Sequence, residues 1–195
     1  MHQLIFATSN PNKVKEIQAA LPDYFHVITM KEAGIDREIP EPFPTLEENS
    51  RTKASTIYLL TGQDCFGEDT GLEVEALNGA PGVLSARYSG EPVNYKRNYE
   101  KLLAEMKGKE NRNARFRSVL TLIFDGKEQQ FEGICNGHII HEPRGNEGFG
   151  YDPVFIPEGS THTFAEMGME QKNRFNHRIK ALALMIDFLK TTTTN

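Results

Sequence analysis

The N-terminal segment changes within a few residues from an apolar run to a helical pattern. Residues 4–7 form a β-prone apolar run, and Val14, Ile17 and Leu21 then recur at helical spacing. Hydroxyl, amide and proline residues separate the two patterns. The segment therefore predicts a strand, a tight polar loop and the start of a helix.

The polar loop offers several groups that suit an anionic phosphate. Free N–H groups at a helix start, hydroxyls, an amide and an ammonium group would lie close together there. A simpler alternative is that Ser9 or Asn10 only caps the helix and that Lys13 is solvated. The residues of this predicted phosphate-binding loop are Thr8, Ser9, Asn10, Pro11, Asn12 and Lys13.

A proline-rich loop precedes the next predicted helix. Its sequence, Pro-Glu-Pro-Phe-Pro, is extended and cannot be helical, so Glu41 is held on a stiff segment. Thr45 and Glu48 then have capping-box spacing and predict a helix that runs to about Leu60. Lys53 lies two turns into this helix, where a solvated position is the usual explanation for a lysine.

Two adjacent acids interrupt the next apolar strand. The predicted strand covers residues 65–74, and Glu68 and Asp69 lie near its centre between glycines. Neighbouring side chains of a strand point to opposite faces, so one carboxylate can face a ligand while the other supports it. Burying both is costly without a cation or a basic partner, and carboxylate oxygens suit Mg²⁺. A turn formed by Asp69, Thr70 and Gly71 is the alternative interpretation.

The second half predicts two helices and a hairpin. Apolar positions recur at helical spacing in residues 93–107 and from residue 176 to residue 189. Between these helices, residues 115–124 and 130–140 flank Asp125-Gly126, which predicts a long β-hairpin.

Two further stretches of this half carry candidate chemistry. In residues 145–153, glycines flank Phe149, so Phe149 and Tyr151 could offer a planar ring to a flat ligand, or could equally fill a tight turn as aromatic plugs. His177 and Arg178 fall in the first turn of the last helix, where a positive charge opposes the helix dipole. We therefore expect a ligand or a carboxylate to hold them.

Composition narrows the possible partners. A chain of 195 residues suits one domain, or one domain of two lobes, with a sizeable core. The net charge of −5 argues against a nucleic-acid polymer as the main ligand. No apolar run approaches the roughly 20 residues that cross a bilayer and no signal segment is apparent, so we expect a cytosolic protein without membrane contact. Cys65 and Cys135 are expected to be reduced, partly buried thiols, without a disulfide or zinc.

Together, these loops, acids and lysines suit the binding of a Mg²⁺–nucleoside triphosphate. The sequence around them resembles one known family. The matching stretches span nearly the whole chain in the family's order: residues 7–13, 48–54, 68–72, 79–82, 85–88, 148–153 and 177–178. The chain is thus similar to the inosine triphosphate pyrophosphatase family, also called Ham1-like.

The resemblance implies a fold and an activity. The implied fold is α/β: a long mixed central β-sheet with flanking helices, forming a single domain of two lobes (residues 1–195) around an active-site cleft. The implied activity is hydrolysis of inosine, deoxyinosine and xanthosine triphosphates to the monophosphate and pyrophosphate, which removes deaminated purines from the nucleotide pool. The resemblance also implies a Mg²⁺ cofactor and a homodimer.

By position, the resemblance implies roles for individual residues. Lys13 and Lys53 match the residues that hold the triphosphate. Asp69 matches the general base for water and, with Glu41, a Mg²⁺ ligand, while the adjacent Glu68 is a third candidate ligand. The other implied substrate contacts, to the phosphates or to the base, are Thr8, Ser9, Asn10, Pro11, Asn12, Thr70, Phe149, Gly150, Tyr151, Asp152, Lys172, His177 and Arg178.

One departure and two alternatives stay open. Many bacterial members carry two aspartates and a serine where this chain has Glu68, Asp69 and Thr70. This difference leaves open which of the two acids has which role, as a Mg²⁺ ligand or as the general base. A nucleotide sensor without turnover would need the loops but not the paired acids, so the acids favour an enzyme. A Maf-like pyrophosphatase is the closer alternative, and the aromatic loop and the His177-Arg178 pair disfavour it.

Overall fold

Strands and helices are interspersed along the chain. The computed structural model describes residues 2–18 and 24–193, so the predicted helix position Leu21 lies outside the described residues. The strands are β1 (His2–Phe6), β2 (Phe25–Thr29), β3 (Cys65–Val74), β4 (Pro81–Gly82), β5 (Asn113–Phe124), β6 (Lys127–Ile139) and β7 (Phe155–Pro157). The helices are α1 (Pro11–Gln18), α2 (Leu46–Thr61), α3 (Tyr95–Glu105), α4 (Met169–Asn173) and α5 (His177–Thr193).

The strands form a mixed sheet. Their order is β2-β1-β3-β5-β6-β7, and β4 pairs with β3. β1 runs parallel to β2 and β3, whereas β4 is antiparallel to β3 and β7 is antiparallel to β6. The predicted fold class, α/β with a mixed central sheet and flanking helices, is therefore confirmed. The arrangement of two lobes around a cleft stays a prediction.

Contacts divide the described residues into two units, each with its own apolar core. In the first unit, side chains such as Leu4, Phe66 and Leu182 pack together, and in the second Leu72 and Phe155 are among the buried residues. Cys65 in the first unit and Cys135 in the second are buried. The described residues of the first unit are 2–18, 24–69, 118–133 and 178–193, and those of the second unit are 70–117 and 134–177.

The predicted hairpin and the second helix are confirmed. β5 and β6 are joined by Asp125 and Gly126, whose φ angles of 48° and 72° are both positive, as a two-residue hairpin turn requires. At the start of α2, the Thr45 hydroxyl accepts a hydrogen bond from the Glu48 N–H (3.2 Å) and donates one to the Glu48 carboxylate (2.7 Å). The helix ends at Thr61, close to the predicted end.

Three helix ends differ from the prediction. α3 ends at Glu105, two residues earlier than predicted, and two further ends differ for local reasons. α3 begins two residues later than predicted, because the Asn94 side chain accepts the Arg97 N–H and caps the helix there. α5 continues beyond the predicted end at residue 189 to Thr193. In that last turn, the hydroxyls of Thr191 and Thr192 donate to the Phe188 carbonyl, which satisfies a helix C-terminal acceptor. None of the helices in residues 2–18 and 24–193 is long and apolar enough to span a membrane.

Candidate active site

The predicted phosphate-binding loop connects β1 to α1, as the sequence pattern indicated. The Thr8 hydroxyl accepts the Asn10 N–H (3.1 Å), and the Asn10 side chain accepts the Asn12 N–H (2.9 Å) at the start of α1. Asn10 therefore caps the helix, as the simpler alternative proposed. Ser9 and Pro11 are exposed, whereas Thr8, Asn10 and Asn12 are partly buried.

Lys13 is not simply solvated. Its ammonium group lies 3.2 Å from Oε2 of Glu68, and only 16% of its side chain is exposed. The simpler alternative therefore fails for this residue. This ion pair joins the start of α1 to the acidic centre of β3.

Arg178 lies in the buried part of a charge cluster in the first unit, which also includes Glu68 and Lys13. Its Nε donates to Glu68 Oε1 (2.7 Å), and its Nη1 donates to the carboxylate of Glu16. The Ser118 hydroxyl donates to the same Glu68 oxygen (2.6 Å). Burial alone would lower the pKa of Arg178, but Glu68 and Glu16 outweigh this effect and raise it. The expectation that a carboxylate holds the cation in the first turn of α5 is confirmed for Arg178.

Lys53 is buried between two further carboxylates. Its ammonium group contacts Glu41 and donates to Asp69 Oδ1 (3.1 Å) and to the Glu68 carbonyl (3.0 Å). Burial lowers the pKa of Lys53, yet Asp69 and Glu41 raise it by more, so the group stays charged. The usual explanation of a solvated lysine is therefore wrong here.

A close approach of α2 to β3 brings Lys53 to these acids. A Cβ atom on Gly67 would lie 2.5 Å from the Ser50 carbonyl oxygen and 2.7 Å from the Lys53 Cβ. These distances are far below ordinary contact, so the position requires glycine. The Ser50 hydroxyl also donates to the Gly67 carbonyl (3.1 Å) and so fastens the two elements together.

The two adjacent acids of β3 bind different partners. Glu68 binds Lys13 and Arg178, whereas Asp69 binds Lys53. Burial raises the pKa of Asp69, and the positive charges of Lys53 and Lys13 only partly offset this rise. Thr70, the next residue of β3, is partly buried.

The carboxylates around Lys53 are the candidate ligands for Mg²⁺. Within residues 2–18 and 24–193, no group of three His, Cys, Asp or Glu side chains could hold a metal ion by itself, so Glu41, Glu68 and Asp69 are not gathered at one point. Glu41 and Asp69 do share a partner in Lys53, and Asp69 Oδ2 is buried without a hydrogen-bond partner among the described residues. Mg²⁺ commonly takes one or two carboxylates together with substrate phosphates, so these two residues fit the ion.

The predicted flat-ligand loop lies in the second unit. The Asp152 Oδ2 atom accepts hydrogen bonds from the Phe149 N–H (2.9 Å) and from the Lys172 ammonium (2.8 Å). That ammonium lies 5.1 Å from the centre of the half-buried Phe149 ring. A Cβ atom on Gly148 would meet Asp152 Oδ2 at 2.0 Å, so only glycine fits there. The structure thus brings Phe149, Asp152 and Lys172 together. Gly150, which lies between Phe149 and Asp152 in the sequence, is partly buried.

Two other predicted base contacts are packed differently. Tyr151 is 3% exposed and lies in the core of the second unit, which favours the aromatic-plug alternative for its ring. The His177 ring is stacked on Phe116 with 4.8 Å between ring centres. Arg178 belongs to the first unit and His177 to the second. The roles of His177 and Arg178 in base binding therefore stay predictions.

Sequence reasoning missed two members of the cluster. Glu16 is 3% exposed, and its spacing of three residues from Lys13 on a predicted helix was the available signal. Ser118 lies inside the apolar strand β5, where nothing in the local pattern distinguished it.

Comparisons with known proteins match almost the whole chain. The model of the Ham1 family matches residues 4–188. A Porphyromonas gingivalis protein named dITP/XTP pyrophosphatase is 50% identical over 190 residues, covering 97% of this chain and 98% of its own. A Flavobacterium psychrophilum protein of the same name is 47% identical over 188 residues, covering 96% of this chain and 99% of its own.

Solved structures are similar over the same length. The Staphylococcus aureus Ham1 protein superposes with a TM-score of 0.89 at 34% identity, covering 97% of this chain and 99% of that one. A HAM1 protein from Coxiella burnetii gives a TM-score of 0.90 at 32% identity, covering 98% and 100%. Since the family model, these relatives and these folds all match nearly end to end, the chain belongs to the Ham1 family.

Proposed function

We propose that this chain hydrolyses inosine, deoxyinosine and xanthosine triphosphates to the monophosphate and pyrophosphate. Relatives named dITP/XTP pyrophosphatases match almost its whole length, which supports the reaction. The structural observation that carries the proposal is the carboxylate of Asp69. One of its oxygens binds Lys53, and the other is buried without a hydrogen-bond partner in the described part of the chain. Such an oxygen is suited to bind a cation or to accept a proton.

The two lysines of the first unit are proposed to hold the triphosphate. Lys13 and Lys53 carry positive charge close to the acidic centre of β3. A triphosphate brings about four negative charges, so it would compete with the carboxylates for both ammonium groups. The ammonium groups would then neutralise charge on the phosphates and on the departing pyrophosphate.

Glu41 and Asp69 are proposed to hold Mg²⁺, and Glu68 stays a candidate ligand. When bound, Mg²⁺ would neutralise phosphate charge and polarise the phosphoryl oxygens. The ion pairs of Glu68 with Lys13 and Arg178 favour a further role for Glu68, namely to position Lys13.

Asp69 is proposed as the general base. It would take a proton from the water that attacks the α-phosphorus, while the bond to the pyrophosphate oxygen breaks and its electron pair leaves with pyrophosphate. Because burial raises the pKa of Asp69, this carboxylate accepts a proton more readily than an ordinary aspartate. No covalent intermediate is needed.

Base binding is proposed for the loop of the second unit. The Phe149 ring would stack on the purine, and Asp152 and Lys172 would supply polar contacts to its edge. Arg178 already binds two carboxylates, so its contacts support a role in holding Glu68 and Glu16.

The setting of the reaction is proposed from the family resemblance and the composition. We infer a cytosolic homodimer that acts on small nucleotides and binds neither nucleic-acid polymers nor membranes. The net charge of −5 supports the exclusion of polymeric nucleic acid.

Product analysis tests the reaction class. The purified chain with Mg²⁺ is incubated with inosine, deoxyinosine, xanthosine, adenosine and guanosine triphosphates, and products are followed by phosphorus NMR. We expect pyrophosphate as the first product from inosine, deoxyinosine and xanthosine triphosphates. Pyrophosphate release from adenosine and guanosine triphosphates should be much slower. Orthophosphate as the first product would refute the proposal.

Replacing Asp69 tests the general base. Asp69→Asn should keep the fold and lower kcat for inosine triphosphate by about 10²-fold or more, because an amide neither accepts the proton nor binds Mg²⁺ as a charged ligand. Asp187→Asn is the matched control, since the Asp187 side chain is 74% exposed on α5. A kcat near that of the control would show that Asp69 has been misassigned.

Replacing Lys13 tests the phosphate-binding loop. Lys13→Ala should raise KM for inosine triphosphate and weaken product inhibition by pyrophosphate, each by about 10-fold, because both ligands would use the same ammonium group. Lys15→Ala, an exposed lysine of the same helix, should change neither quantity. Unchanged inhibition by pyrophosphate in the Lys13 variant would place Lys13 outside the site.

A further inference from the structure

One stretch of the family resemblance, residues 85–88, has no role in the proposed function. It begins with Ser85, which is 8% exposed and opens a short 3₁₀ turn, Ser85–Arg87. The Ser85 hydroxyl accepts the Leu72 N–H (2.9 Å) and donates to the Gly82 carbonyl (2.6 Å). The first of these bonds ties Ser85 to Leu72 of β3, and Leu72 follows Asp69 by three residues.

The carbonyl group of Ser85 is held just as firmly. It accepts a hydrogen bond from the Tyr151 hydroxyl (2.8 Å) and one from Nδ2 of Asn98 (3.3 Å). Asn98 is fully buried on α3, and its Nδ2 also donates to the Ala86 carbonyl (2.8 Å). Its Oδ1 accepts two further hydrogen bonds from Ser89, both of 2.8 Å. Contacts with Leu72, Gly82 and Asn98 therefore fix the position of the Ser85 carbonyl independently of Tyr151.

The loop that carries Tyr151 needs such anchors. Gly148 and Gly150, on either side of Phe149, have φ angles of 78° and 65°. Because glycine has no Cβ, it can adopt many backbone conformations, so other contacts must select this one. Asp152 fixes one part of the loop through Phe149 and Lys172. The hydroxyl of Tyr151 fixes the part between Phe149 and Asp152.

We propose that Ser85 is a positioning residue for the purine base: its carbonyl anchors Tyr151 and so orients Phe149 and Asp152 of the base-binding loop. The role rests on the proposed function of that loop. Ser85 touches no substrate, and it acts by limiting the conformations of the loop before the nucleotide binds. Burial raises the pKa of Tyr151, so its hydroxyl remains a proton donor at neutral pH.

The test removes each hydroxyl separately and then both together. Tyr151→Phe deletes the hydrogen bond to Ser85 and keeps the ring, and Ser85→Ala releases the anchor from β3. Tyr99→Phe is the matched control, because the Tyr99 hydroxyl makes no hydrogen bond within residues 2–18 and 24–193 and lies in the same unit. KM and kcat for inosine triphosphate and the inhibition constant of pyrophosphate are measured on the full chain, well below the melting temperature of each variant.

We expect Tyr151→Phe and Ser85→Ala each to raise KM by about 3- to 10-fold, the range that one hydrogen bond contributes. Pyrophosphate has no base, so its inhibition constant should stay within about 2-fold, as should all constants of Tyr99→Phe. The double variant should be no worse than the worse single variant, because both changes act through one carbonyl position.

Several outcomes would overturn the role of Ser85. Tyr151→Phe could have the same KM as the Tyr99→Phe control, or the effects of the two single changes could multiply in the double variant. Either result would show that Ser85 and Tyr151 act separately. If Ser85→Ala fails to fold, the comparison of Tyr151→Phe with Tyr99→Phe decides alone. Failure of the unmodified chain to release pyrophosphate from inosine triphosphate would instead refute the proposed function, and the positioning role with it.

Discussion

The buried guanidinium of Arg178 holds together the part of the charge cluster that contains Glu16, Glu68 and Lys13. It bridges Glu16 of α1 and Glu68 of β3 from the first turn of α5, so three elements that are far apart in the sequence meet at one cation. Removing one partner of such a buried pair typically costs about 3–5 kcal/mol, because the remaining charge stays buried without compensation. Glu68 in turn binds Lys13. Glu68 and Arg178 therefore fix the position of the Lys13 ammonium group, which is proposed to bind phosphate.

The balance of charge in this cluster supports the proposal that one site binds both a triphosphate and Mg²⁺. Four carboxylates surround three basic side chains: Glu16, Glu41, Glu68 and Asp69 against Lys13, Lys53 and Arg178. In the proposed function the triphosphate takes over Lys13 and Lys53, which leaves Glu41 and Asp69 with fewer positive partners. Glu41 and Asp69 would then hold Mg²⁺, whose charge would compensate for the lost partners, so the anion and the cation would favour each other's binding. Arg178 keeps its carboxylates, and its positioning role is unchanged.

The sequence predicted those parts of the protein that local patterns determine. The strand, loop and helix at the N-terminus, the capped helix α2 and the Asp125-Gly126 hairpin follow from spacing and turn chemistry, and the family resemblance supplied the sheet. The partners of charged residues were not predictable, because Arg178 meets Glu16 only through the tertiary fold. Local reasoning assigned Lys53 to solvent for the same reason: its burial depends on the close approach at Gly67. For Tyr151, the sequence left ligand binding and a buried aromatic plug equally open, because a pattern of aromatic residues does not reveal which ring faces the core.

In the proposed reaction, water attacks the α-phosphorus of the triphosphate. Hydrolysis in water enriched in oxygen-18 tests this step directly, because the label marks the phosphorus that was attacked. Mass spectrometry of the products from inosine triphosphate should find one labelled oxygen in the monophosphate and none in pyrophosphate. Label in pyrophosphate would place the attack on the β-phosphorus and would contradict the account.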